Sequence, residues 1–404
     1  MRRILIILAV IIVLLGIGGF VYWRYFSTET GLAVSDTPDS ALPDSEATST
    51  GGTDAPVRTD PALPQVTRVT SRLTKIAAGP VAPGVAVVVL PAASASSSSS
   101  PSTGSGEVSV RFVERESGNI FSYLARTGTL TRTSNKTLPG VQKATWLPSG
   151  QTAFVTYLSG ATLSTVDTYG LSADGSGGFF LPKGIVDIAV SSTSVLTLAS
   201  GATGSVASLR KTDGTGSVTA FTSPLSALRI GFAGKQGYIA FTKPTQSLGG
   251  SVFFVSPSGI FSRLAGPLPG LVALANHSGS MTLVSSANSG VMSLALVDTA
   301  TGARVALPLR TIADKCVWTA DDTTIYCGVP VSPSTAYGYP DDWYQGAAHF
   351  SDRVWKIDVK GRFTQLVLTP SSETLDVEAP ALDPGGSLLV FTNKNDGSLW
   401  SYQL

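Results

Sequence analysis

Charge is the scarcest commodity in this 404-residue chain: only 14% of it is Asp, Glu, Lys or Arg, against about 25% in an ordinary globular domain. The 28 Lys and Arg residues are nearly matched by 27 Asp and Glu. No basic excess remains to neutralise a phosphate backbone, which argues against a nucleic-acid partner. Cysteine and histidine occur twice each, too few to build a clustered zinc site. A Gly-x-Ser-x-Gly elbow, a phosphate-binding loop and a dinucleotide fingerprint after a strand are all missing. Neither a metal nor a cofactor is therefore expected. Long helices are excluded as well, because 42 glycines and 24 prolines punctuate the chain too often.

Long apolar runs are also rare, with one exception. Ile4 to Tyr22 is almost unbroken, preceded by Arg2 and Arg3 and closed by Trp23, Arg24 and Tyr25. About 20 apolar residues match a hydrocarbon core of about 30 Å. Flanking arginines and an aromatic belt favour a cytoplasmic N-terminus. The expectation is an uncleaved signal anchor at residues 1–26, a single-pass membrane protein with the bulk of the chain outside. Residues 27–65 then read as a flexible tether, carrying Glu29, Asp36, Asp39, Asp44, Glu46, Asp54 and Asp60 against Arg58 alone.

What the chain has in plenty is a repeat. A strand followed by glycine recurs at Gly128, Gly170, Gly214, Gly259, Gly302 and Gly361. All but the last interval fall within two residues of 43, and the last is lengthened by an insertion. A period of about 40–45 with four short strands per unit is the signature of a propeller blade. In the unit at 141–181, strands are expected at 143–147, 152–157, 163–167 and 178–181. The C-terminal unit supplies three strands, and residues 69–76 are expected to add its fourth, joining the ends of the ring. A Ser-rich insertion at 94–106 interrupts the first unit. The count gives an all-β propeller of seven blades over 66–404, with six as the alternative.

The turn WLPSG at 146–150 resembles the Trp-Ser-Pro-Asp-Gly pattern of TolB-type propellers, and the whole is similar to WD-repeat-like rings. Only Trp146 and Trp318 keep the tryptophan, and no Asp precedes the turn glycine. The resemblance implies an architecture, and such folds host many functions.

Candidate chemistry is sparse. A hairpin centred on Asp321 and Asp322 sets Cys316 opposite Cys327 on adjacent strands, so a structural disulfide is expected, with two buried thiols as the alternative. The insertion at 329–350 contains YGYPDDWYQG (337–346) and then His349 and Phe350. It joins a second strand to a third, so it belongs on the rim around the channel mouth. Tyr339, Trp343 and Tyr344 beside Asp341 and Asp342, with His349, are candidate binding residues. The competing reading folds the loop onto its own blade with the aromatics capping the core. Asp376 and Glu378 lead into an inner strand on the same rim and are expected to share that pocket. His277 reads as a turn residue. Two functions are compatible with this pattern. One is a membrane-anchored, extracytoplasmic scaffold that binds a protein or small ligand without catalysis. The other is a propeller enzyme or sensor acting on an envelope carbohydrate or peptide through its loop carboxylates.

Overall fold

The computed structural model describes residues 72–91, 106–163 and 165–404. Short alternating segments separated by turn glycines can bury one face only by stacking on a neighbour. They do so as seven four-stranded antiparallel sheets, which settles the count against six. Blade 1 begins with the inner strand Ala86–Leu90, and blades 2 to 7 begin with Val141–Trp146, Ile185–Val190, Leu228–Ala233, Val272–Ala275, Cys316–Trp318 and Val377–Leu382. Six blades take their four strands in chain order. In blade 7 the outermost strand is Leu73–Ala77, laid against Leu399–Gln403 with Leu73 opposite Tyr402 and Lys75 opposite Trp400. That strand removes the bare edge an open C-terminal blade would present. The Arg72 guanidinium and Lys75 ammonium lie over the Tyr402 and Trp400 rings at 4.9 and 4.8 Å, while Ile76 is buried in the core shared with blade 1.

Two of the six landmark glycines behave differently from the rest. Gly128, Gly214, Gly259 and Gly302 adopt left-handed φ values of 71–81° in the turn after the third strand. Gly170 instead lies inside the strand Thr165–Ser172, and the left-handed residue is Gly175. A Cβ on Gly170 would meet the Phe179 ring at 2.5 Å, so this glycine serves packing. In blade 6 the left-handed residue is Arg362 rather than Gly361.

Among the described residues no helix is long and apolar enough to cross a membrane. The one α-helix there is Asp341–Tyr344, four residues where about 20 are needed. This corrects the reading of the chain as a single-pass membrane protein. The transmembrane anchor, the membrane partnership and the placement of the propeller outside the cytoplasm go with it. Residues 1–26 and 27–65, on which the anchor and tether were expected, lie outside the described residues, as does nearly all of the Ser-rich insertion.

Three inner strands are bulged where they begin. Gln142 is extra between Val141 and Lys143, and Val186 is extra between Ile185 and Asp187. In blade 7 the register shifts between Glu378 and Ala381. A bulge bends the strand and re-aims its side chains; at blade 7 it also accommodates Pro380, which could not donate to an unbroken ladder. Cys316 and Cys327 face each other in register and are joined by a disulfide, with Cα atoms 4.1 Å apart.

Replacing Ile76 by Asp puts an unpaired charge into the seam between first and last blades, at a cost of at least about 3 kcal/mol. The thermal midpoint should fall by several degrees, whereas Val218→Asp, at a site 70% exposed on an outer strand, should leave it nearly unchanged. Equal midpoints would show that the closing strand contributes little.

Candidate functional site

Blade 6 carries the insertion between its second strand, Thr324–Pro330, and its third, Asp352–Asp358. The loop leaves the blade, crosses neighbouring loops and returns. Thr335 packs against Gly290 of blade 5 and Tyr339 against Gly270. Asp341 Oδ2 accepts hydrogen bonds from Thr245 Oγ1 at 2.9 Å and the Gln246 amide at 2.8 Å, both in blade 4. Its aromatics mostly point down. Tyr339 and Trp343 are each 1% exposed and Phe350 is 4% exposed. Tyr339 lies 5.3 Å from Phe350 and Trp343 stacks on it at 6.4 Å between centroids. Apolar side chains set between charged ones have little reason to stay in water when a core edge is within reach.

Below them sits a buried charge cluster. Lys315, which precedes the inner strand of blade 6, has no exposed surface. Its Nζ pairs with Asp352 Oδ2 at 2.8 Å and with Asp376 Oδ1. The ammonium group also lies 4.8 Å from the Trp343 and Phe350 ring centroids, a cation–π arrangement strengthened by the dry surroundings. Asp376 leads into the inner strand of blade 7. Besides Lys315 it accepts the Trp343 indole N–H at 3.1 Å and the Phe350 backbone N–H at 3.0 Å. One carboxylate thus ties two blades and both ends of the aromatic segment together. Asp352 Oδ2 also accepts the Val377 amide at 2.7 Å. Burial pushes the Asp352 carboxyl up to about 6, with Lys315 opposing and the Asp376 charge reinforcing the rise.

A second cluster faces the channel. Arg229, at the start of the inner strand of blade 4, grips Asp314 with two nitrogens at 2.7 and 3.3 Å. The Tyr344 hydroxyl donates to Asp314 at 2.6 Å and accepts from Arg229 at 3.1 Å. Burial would raise the Asp314 carboxyl, but Arg229 and the Tyr344 hydroxyl outweigh it and hold the group below the usual carboxylate range. Burial and the Asp314 charge keep the Tyr344 phenol far above its ordinary value, so it stays protonated. Above this cluster opens a cavity of about 570 Å³, whose walls include Lys143, Lys243, Asp341, Gln345, Glu378 and Ala379. Arg229 and Asp314 also border a second cavity of about 930 Å³ that extends toward Ser191 and His277. They therefore sit between two chambers. Ala379, in the bulge of blade 7, has a left-handed φ of 48°, a conformation a non-glycine residue holds only when its surroundings impose it.

The structure distributes the candidate residues unevenly. Asp341, Trp343, Tyr344 and Glu378 border the cavity; Trp343 does so as a buried wall, and Tyr344, 37% exposed, as an accessible one. Asp342 turns to the Gly338 amide at 2.7 Å, and Tyr339 donates to the Ser334 carbonyl. Asp376 is a buried anchor, and His349 is exposed away from the cavity. Lys143, Arg229, Lys243, Asp314 and Lys315 were not singled out from the sequence. Among the described residues no group of three His, Cys, Asp or Glu side chains is placed to hold a metal ion.

Because Asp352 holds its proton to a higher pH when folded than when unfolded, its contribution favours folding at low pH and is lost as pH rises from about 4 to about 6. Asp352→Asn should flatten the pH dependence of the thermal midpoint in that window and cost little at pH 7. Asp376→Asn should lower the midpoint at every pH, since its amide nitrogen would face donors. Similar midpoint losses for both variants would contradict these roles.

No family model matches the chain, and no curated protein matches it. Solved structures do. A Kuenenia stuttgartiensis hydrazine synthase aligns over 85% of this chain and 99% of its own, with TM-score 0.54 and 15% identity. An oligogalacturonate lyase in complex with manganese aligns over 74% and 86%, with TM-score 0.53 and 10% identity. A chain of a mitotic checkpoint complex aligns over 87% and 99%, with TM-score 0.50 and 10% identity. At such identities the likeness is one of fold alone. The chain is a seven-bladed β-propeller, a fold it shares with these structures.

Proposed function

We propose that this propeller is a binding scaffold that performs no chemistry of its own, and that its working face is the rim carrying the 331–350 loop. The observation that carries this reading is the state of the acids at the channel mouth. Asp314 is held by Arg229 and Tyr344, Glu378 by Lys394 at 2.8 Å, and Asp341 by Thr245 and Gln246. A general acid needs a carboxyl protonated near neutral pH and free to reach substrate. The carboxyl raised toward that range, Asp352, is 2% exposed and lines neither of the two cavities. Binding asks less: a concave surface of a few hundred Å³, apolar walls and a few polar groups in fixed positions. The mouth has these, with Pro83, Pro244 and Tyr344 for walls and the lysine ammonium and glutamine amide groups at its edge.

A photo-crosslinking amino acid tests this directly. Placed at position 344 it should capture a partner under native conditions, while the same group at His277, on the opposite rim, should capture none. Equal yields at the two positions, or adducts only at 277, would refute the assignment of the working face.

A further inference from the structure

Resting on that reading of the mouth, we infer that the 570 Å³ cavity is a site for a small organic anion, an acceptor-rich molecule carrying a carboxylate or phosphate group. Formal charge does not select such a ligand, because Lys143, Arg229 and Lys243 in the wall are balanced by Asp314, Asp341 and Glu378. Selection comes from which groups are already used. Every one of those carboxylates accepts at least one hydrogen bond, as described above. The nearby Asp187 carboxylate is likewise engaged, accepting the Ile230 amide at 2.8 Å. The cations are not symmetrically consumed. Lys143 and Lys243 are exposed, and their side chains make no hydrogen bond or ion pair among the described residues. Lys143 lies near enough to Asp314 to help hold its carboxyl low, without pairing to it.

Arg229 has a different part. Its guanidinium is fixed between Asp314 and the Tyr344 hydroxyl and lies over the Phe241 ring at 5.1 Å. Two of its nitrogens make the three bonds described, and Nε is not among them. A ligand oxygen meeting an oriented guanidinium forgoes little entropy in forming the contact. Two exposed ammonium groups flank it from blades 2 and 4. The volume exceeds what a lone inorganic ion fills, and the Tyr344 ring and two prolines supply surface for a carbon body. A ligand bearing a cation would meet only carboxylates that already accept hydrogen bonds from the protein.

Calorimetric titration of the full chain with citrate, glucose 6-phosphate and glucose separates the possibilities. At least one of the two anions should bind saturably at one site per chain with a dissociation constant below about 1 mM, and glucose should not. The stronger anion identifies the head group. The double variant Lys143→Gln/Lys243→Gln should keep the thermal midpoint of the unliganded protein and lose at least about tenfold in affinity. Absence of saturable binding by either anion, or equal binding by the double variant, overturns the inference. The crosslinking result at position 344 is independent of it, so a scaffold that takes a macromolecule but no small anion is recognised as such.

Discussion

Everything at the channel mouth is built around one buried ammonium group. Lys315 Nζ has no contact with solvent and is compensated by two carboxylates that are themselves buried. Such a charge is tolerated only while a carboxylate stays paired with it, since an uncompensated buried ion costs about 3–5 kcal/mol. Asp376 is therefore fixed by Lys315, and whatever binds Asp376 is fixed in turn. Trp343 and Phe350 do so through the indole and backbone N–H groups. The loop that joins Pro330 to Asp352 is thereby held at both ends of its aromatic segment.

The consequence is that Tyr344, the exposed aromatic of that segment, is placed by buried neighbours. Its hydroxyl reaches Asp314 and Arg229 of two other elements, the two residues that border both cavities. Rigid positioning of this kind lowers the ordering cost of binding. The ring supplies the frame: the strand Leu73–Ala77 closes blade 7, and bulges at the start of three inner strands turn Lys143, Asp187 and Glu378 to their stations.

Much of this fold was legible because a blade is a local object. A 43-residue period, turn glycines and an unpaired last sheet are enough to number the blades and to expect the closing strand. The landmark failed at Gly170 and Gly361 for different reasons: one glycine makes room for the Phe179 ring, and the other passes its turn position to Arg362. The loop was visible as an insertion, but whether its aromatics face solvent or core depends on Lys315 and Asp376, 28 residues before and 33 after Trp343, and pairing at that range leaves no local trace. The sequence also holds a weaker signal. Lys143, Asp187 and Arg229 recur near the repeat period, at the start of successive inner strands, which sets charged side chains around one rim.

Hydrogen exchange in the intact protein tests most directly whether the mouth is held in this way. The Phe350 amide, bonded to the buried Asp376 carboxylate, and the Tyr344 and Gln345 amides, bonded within the short helix, should exchange as slowly as amides in the blade strands. Exchange of these amides at the rate of an unprotected surface loop would contradict the anchoring of the mouth by the buried charge cluster.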